Sequence, residues 1–163
     1  MKVLNVHTRI LNQPKEKIEE LFATLATDTD MMLATDKWSP KILDNGLTVG
    51  SEGGHGPIGY SVKKFIPGIM VEFEFSKPKG LIGIHRFEID ELSVNKTELK
   101  HIIEMKTIGL ALVTWPLAIR WLHDAFIEDA FDKVENHFSG KAKRTEWSTW
   151  VKILRKLLKP KSK

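Results

Sequence analysis

The chain has 163 residues, the length of one ordinary domain, and its 42% hydrophobic and 28% charged content is the balance of a folded globular protein rather than a disordered one. It contains no cysteine, which excludes disulfides, thiolate metal sites and cysteine nucleophiles. The net charge of +4 is unevenly shared: residues 141–163 carry nine basic side chains and one acidic one, a net of +8, which leaves residues 1–140 at −4, and an acidic body argues against nucleic acid as a partner.

No apolar run approaches the roughly 18 residues of a membrane span. Met1 to His7 lacks the apolar core and small-residue cleavage site of a secretory signal, so a cytoplasmic protein is expected. Val3 to Ile10 alternates, with Leu4, Val6, Thr8 and Ile10 on one face and Asn5, His7 and Arg9 on the other, the pattern of a half-buried strand. Pro14 suits the first turn of a helix. Ile18, Leu21, Phe22 and Leu25 follow as one apolar stripe. A second short helix is expected from Thr27 or Asp28 through Leu33, broken by Trp38-Ser39-Pro40.

From Lys41 to about Gly109 the period is two. A weak strand at Ile42 and Leu43 precedes the turn signal Asp44-Asn45-Gly46. Residues 50–57 (Gly-Ser-Glu-Gly-Gly-His-Gly-Pro) read as a glycine-rich loop, a flexible lip. Strands follow at Ile58 to Phe65, Met70 to Phe75, Ile82 to Leu92 and Thr97 to Thr107. Their short separators, Pro67-Gly68, Pro78-Lys79-Gly80 and Ser93-Val94-Asn95, imply antiparallel hairpins. Pro116 to Phe138 reads as a long helix stopped by Gly140, apolar along Ile119, Phe126, Ile127, Ala130 and Val134 and acidic along Asp124, Glu128, Asp132 and Glu135. An antiparallel sheet of this length curls. The long helix is the element large enough to cover its concave face, and the space between them is the default ligand site.

This order resembles the helix-grip fold of the START-related SRPBCC superfamily, with particular likeness at Gly54-His55-Gly56-Pro57-Ile58, Pro67-Gly68, His85-Arg86-Phe87-Glu88, Trp115-Pro116-Leu117 and Leu122-His123-Asp124-Ala125. The resemblance covers about residues 1–140. It implies an α+β class, with a curved antiparallel sheet wrapped around the C-terminal helix and an internal cavity. The superfamily spans carriers, receptors and enzymes.

Three histidines stand out by phase. His85 shares its face with Phe87 and Ile89; His101 shares its face with Leu99, Ile103 and Met105; His123 falls on the apolar side of the long helix. Imidazole titrates near neutrality, so one reading is acid–base catalysis. A second is a three-histidine metal site, and a third is that each histidine satisfies a buried hydrogen bond or orients a ligand. Tyr60, in phase with Ile58 and Val62, also faces inward. Asp129 sits near the edge of the helix's inward side, where charge pairing, exposure and catalysis explain it equally. No phosphate-binding glycine loop, nucleophile elbow or zinc-protease helix is present, and Asn95-Lys96-Thr97 is a chance glycosylation match.

The reading is therefore a ligand-binding domain over residues 1–140 and a basic amphipathic tail over 141–163. Its function is binding, as carrier or sensor, of a small hydrophobic or amphipathic molecule. Tyr60, Phe73, Phe75, Phe87, Met105 and Phe126 line the site. The alternative is a cofactor-independent cyclase or dehydratase using His85, His101 and His123. No cofactor and no metal ion are expected. In the tail, Trp147, Trp150, Val151, Leu154, Leu157 and Leu158 form one apolar stripe, with Lys152, Arg155, Lys156 and Lys159 off it. That is the pattern of a helix lying in a membrane interface, at the inner face of the membrane, or of a helix docked on the domain or a partner.

Overall fold

The computed structural model describes residues 1–140 and 142–158; the tail's Lys141, Lys159, Lys161 and Lys163 lie outside them. Seven strands form one antiparallel sheet: β1 (Lys2–Leu11), β2 (Lys41–Leu43), β3 (Glu52–His55), β4 (Ile58–Ile66), β5 (Met70–Lys77), β6 (Leu81–Ser93) and β7 (Lys96–Thr107). Their order across the sheet is β1-β7-β6-β5-β4-β3-β2. The hairpins run in sequence from β2 to β7, and β1 closes the far edge against β7. Helix α1 (Lys15–Phe22) follows β1, and the chain is helical without a break from Ala111 to Ser139 as α2 (Ala111–Thr114), a π-helical turn (Trp115–Ile119) and α3 (Arg120–Ser139). A last helix, α4 (Thr149–Leu158), follows.

The long helix begins at Ala111, five residues before the sequence-based start. Pro116 does not open it but sits inside it. Proline has no N–H to donate, and a widened π turn accommodates such an interruption. Gly140 ends α3 in the left-handed conformation, φ 62°, as a C-terminal glycine does.

Three local expectations change. The helix expected over 27–33 is a series of turns. The Asp30 carboxylate organises them by accepting the N–H groups of Ala26 (2.9 Å), Met32 and Leu33 (both 2.8 Å), a local alternative to helical bonding typical of aspartate. The glycine-rich stretch is not a loose lip: Glu52–His55 is a strand paired on both sides, with β2 and β4. Glycine is required there because a Cβ at Gly53 would lie 1.9 Å from the Ile42 carbonyl oxygen. Strand β1 is turned over. Its apolar side faces out, with Leu4 71% exposed, and Asn5, His7 and Arg9 face α3.

The reason lies on α3, whose acidic stripe lies over β1. Asn5 donates to Asp124 at 3.0 Å, and His7 lies 3.1 Å from Asp124 and 2.9 Å from Glu128. Arg9 binds Glu128 at 2.9 Å, Asp132 at 3.0 Å and also Glu135. An almost buried carboxylate such as Asp132 requires a paired cation, and that requirement outweighs burying three aliphatic side chains of an edge strand. The main core lies between the sheet and α3, built around Ile18, Phe22, Leu25, Val71, Phe73, Phe87, Ile127, Phe131 and Val134.

Candidate functional site

Between the concave face of the sheet and the start of α3 the packing opens into a cavity of about 280 Å³. Its floor comes from alternate inward residues of four strands: Ile58 and Tyr60 of β4, Phe75 of β5, Leu81, His85 and Phe87 of β6, and His101 and Ile103 of β7. Trp115, Ala118, Ile119, Leu122, His123 and Phe126 form the roof. Trp38, Ser39, His55, Gly56, Pro57 and Leu158 of α4 form the rim, and Lys41 of β2 closes one wall. The walls are mostly apolar, and a few polar groups punctuate them, the usual make-up of a small-molecule site.

The sheet register explains how the histidines meet. His85 is opposite Ile103 and His101 is opposite Phe87, so the two are diagonal neighbours on one face, within reach of each other. His85 Nδ1 lies 3.3 Å from His101 Nε2. The row continues: the ring centres of His101 and His123 are 4.9 Å apart, and those of His123 and His7 5.8 Å. Burial holds His85 and His101 well below the ordinary imidazole pKa, helped by the charges of Lys41 and their neighbouring histidines. His123 is lowered by burial as well, against the pull of Asp124. All three are neutral at pH 7.

Neutrality gives the pair a useful property. One bond joins Nδ1 of His85 to Nε2 of His101, so one ring donates and the other accepts. Whichever way that proton sits, one of the two outer nitrogens carries a hydrogen and the other a lone pair. Those outer atoms, His85 Nε2 and His101 Nδ1, are buried with no hydrogen-bond partner among the described residues, as are His123 Nε2, His55 Nδ1 and the Tyr60 hydroxyl. Buried polar atoms are rarely left unpaired, and each such atom calls for an explanation.

Tyr60, Phe75, Phe87 and Phe126 line the cavity, as their phase predicts. Phe73 and Met105 do not. Phe73 lies one layer behind, stacked on His85 with ring centres 4.9 Å apart, and Met105 packs with Leu81, Ile103 and Trp115 in a smaller cluster. Side-chain phase selects the face of a strand but not the depth along it. The lining residues that the sequence does not assign to the site include Lys41, His55, Trp38 and Trp115. His55 stacks on Phe126 with ring centres 4.3 Å apart, and burial with the neighbouring charge of Lys41 lowers its pKa to about 4.

Among the described residues, the trio whose ligand atoms come within 4.8 Å of one another is His7, His123 and Asp124, not the three cavity histidines. His7 already pairs with Asp124 and Glu128. Burial opposes its imidazolium, but these two carboxylates outweigh it and raise its pKa, so this cluster is an ion-pair network.

Asp129 accounts for the tail. Its carboxylate is buried, 1% exposed, and accepts Lys37 Nζ at 2.6 Å and the indole N–H groups of Trp38 and Trp147, each at 2.8 Å. Arg155 lies between the two indoles, 4.1 Å from the centre of Trp38 and 4.2 Å from that of Trp147, and donates to the Lys37 carbonyl. Val151 and Leu154 are buried. Trp147, Leu154 and Arg155 are thus engaged on the body, while Trp150, Leu157, Lys152 and Lys156 remain exposed.

A curved antiparallel sheet closed by a long C-terminal helix over an apolar cavity decides the architecture. This is the helix-grip α+β fold. Helix-grip structures of known proteins superpose over most of this chain. A START superfamily protein from Mycobacterium smegmatis matches with a TM-score of 0.54 at 12% identity, covering 84% of this chain and 97% of its own. Norcoclaurine synthase from Thalictrum flavum, solved with dopamine and hydroxybenzaldehyde, matches with a TM-score of 0.62 at 11% identity, covering 85% and 90%. CalU16 from Micromonospora echinospora matches with a TM-score of 0.57 at 10% identity, covering 96% and 91%. No family model matches the sequence, and no curated protein matches it by sequence. At such identities the likeness is one of fold, and a helix-grip fold hosts more than one activity.

Proposed function

We propose that this protein binds a small, mainly apolar molecule carrying at least one polar group, as a carrier or sensor. The observation that carries this reading is the cavity itself: apolar walls of a size suited to a small ligand, lined by residues that each hold one unpaired polar atom, the Tyr60 hydroxyl, His55 Nδ1, His85 Nε2, His101 Nδ1 and His123 Nε2. A ligand's polar group would satisfy atoms that the fold leaves unsatisfied, and its apolar part would leave water. Organic extraction and native mass spectrometry of protein purified from its own host should reveal a retained small molecule. An environment-sensitive apolar dye should bind the purified protein. Leu122→Trp, which fills the roof without adding charge, should abolish that binding; undiminished binding by the folded variant places the site elsewhere.

One observation favours a second reading, a cofactor-independent cyclase or dehydratase. The His85–His101 pair presents one donor and one acceptor nitrogen in either tautomer, so it is able to take a proton at one atom and release one at the other without net charge. His85→Gln and His101→Gln would leave apolar dye binding intact but remove turnover of any cyclisable compound found to co-purify.

The exposed part of the tail supports peripheral contact with an anionic membrane, as fits a cytoplasmic protein working at the inner membrane face. Trp150, Ile153 and Leu157 stay uncovered, and Trp150 bonds the Leu117 carbonyl at 2.9 Å. This joins them to the exposed Leu110, Val113, Leu117 and Trp121 beside the cavity roof. Exposed tryptophan and leucine flanked by Lys152 and Lys156 form an interfacial pattern. No helix among the described residues is long and apolar enough to cross a membrane. Full-length protein should sediment with anionic vesicles at low salt, and Trp150→Ser with Leu157→Ser should weaken it; equal sedimentation removes this reading.

A further inference from the structure

The cavity wall holds a lysine in an unusual setting. Lys41 is 5% exposed, and among the described residues its Nζ has no hydrogen bond and no ion pair. Its Nζ lies 3.9 Å from the ring centre of Phe73, 4.8 Å from Tyr60 and 5.5 Å from Phe87. These ring faces provide what an ammonium needs in an apolar place, but no ring neutralises a charge. The titratable groups around it are Asp30 from the loop after α1, His55 opposite it on β3, Tyr60 of β4, His85 of β6, His101 of β7 and His123 of α3. Of these only Asp30 offers a negative charge, and it is bound to three backbone amides.

We infer that Lys41 is a nucleophilic amine that captures the carbonyl group of an apolar aldehyde or ketone as an imine in this cavity. The inference rests on the cavity being a ligand site and names the chemical class of its ligand. The geometry supplies the needed parts. The amine lines the same cavity as a protonated phenol and neutral imidazoles. A buried lysine with no carboxylate partner is the kind that forms Schiff bases. Burial lowers the ammonium's pKa to about 7, with Asp30 working against that shift, so a large share of the amine carries its lone pair at neutral pH. An ordinary lysine, near 10.4, does not.

The step balances with one proton taken up from solvent. The Nζ lone pair attacks the carbonyl carbon and the C–N bond forms; a neutral imidazole nitrogen of the cavity accepts the surplus proton of the new ammonium and passes it to the oxygen, which gives a neutral carbinolamine with a lone pair on nitrogen. The carbinolamine loses its hydroxyl as water: the solvent proton goes to that oxygen, the C–O bond breaks, and the nitrogen lone pair forms the C=N bond. The products are the protonated imine and one water molecule. Tyr60 is suited to holding the carbonyl oxygen by a hydrogen bond, because burial raises its pKa and keeps the phenol protonated.

The test is reductive trapping of the full-length protein. An apolar aromatic aldehyde, 4-isopropylbenzaldehyde, is added with sodium cyanoborohydride, and the adduct is located by intact-mass and peptide mass spectrometry. The expected result is a single adduct on Lys41, formed at least tenfold faster than on any other lysine. Its rate should rise with a midpoint near pH 7, and it should be absent in Lys41→Met. Lys41→Arg, which keeps the charge, should also lack it, so that a packing change in one variant does not decide the outcome. Adducts scattered over surface lysines, at rates unchanged in both variants, overturn the inference. Displacement of a bound apolar dye by the same aldehyde separates the two levels. Displacement without trapping at Lys41 refutes the carbonyl chemistry and leaves the ligand site standing, whereas neither displacement nor trapping refutes both.

Discussion

Replacing Lys41 with methionine should make the protein more stable. The lysine's pKa falls from 10.5 to about 7 on folding. At about 1.4 kcal/mol for each tenfold loss of proton affinity, keeping the ammonium in the cavity wall costs the native state roughly 5 kcal/mol at neutral pH. A pKa shift is a net quantity, so whatever the faces of Phe73, Tyr60 and Phe87 return is already inside this figure. Methionine has similar length and no charge to desolvate, so Lys41→Met should gain about that much, a rise in Tm of about 10–20 °C for a domain of this size. The sign of the pH dependence follows from linkage. The folded pKa lies below the unfolded one, so between pH 7 and 10.5 the unfolded chain binds more protons, and the wild type gains stability as pH rises. The advantage of methionine should therefore be constant below pH 7 and shrink towards zero near pH 10.5. Urea unfolding of both proteins, followed by tryptophan fluorescence from pH 6 to 10, measures it. A destabilised Lys41→Met at pH 7, or a difference that does not change with pH, would refute the account of a desolvated, unpaired amine. A stabilising substitution here would also mark the lysine as kept for something other than folding.

Three further outcomes follow from the pairs between the sheet edge and α3 and from the docked tail. Arg9→Met leaves Glu128, Asp132 and Glu135 without their shared guanidinium and should cost about 3–5 kcal/mol in urea unfolding, with Arg9→Lys recovering only part because a point charge cannot fork between carboxylates. His7→Gln should lower stability below pH 6.5 and have little effect well above it: the folded pKa is raised, so the stabilisation is fully present below the unfolded value and is lost as pH rises through the folded one. Asp129→Asn removes the charge that holds Lys37 and weakens the bonds from Trp38 and Trp147; it should cost about 1–3 kcal/mol and speed proteolytic cleavage between residues 140 and 149, whereas an unchanged cleavage rate would show that the carboxylate does not secure the tail.

The strands from β4 to β7, their hairpins, the long helix and its glycine stop were legible because each follows from local chemistry: alternation, turn residues and a 3.6-residue stripe. The inward phase of His85, His101, His123, Tyr60 and Phe87 was legible for the same reason, since a strand in the middle of a sheet must put its apolar set on the covered face. The edges of the sheet obeyed a different rule. At β1 the covered face is polar, because α3 presents Asp124, Glu128 and Asp132 there and Asn5, His7 and Arg9 pair them. At β2 the inward residue is Lys41 and the exposed one Ile42, the opposite of what hydrophobicity suggests for a three-residue strand. Asp129, one of several acidic residues on α3, became the anchor of the tail only because the turns after α1 bring Lys37 and Trp38 to it and the chain returns Trp147 and Arg155 to the same place. Sequence pattern settles which residues share a face. Which face is covered at an edge, and which charges lie across from it, depends on residues 90 or more positions away, and that long-range pairing exists only once the sheet has closed on its helix.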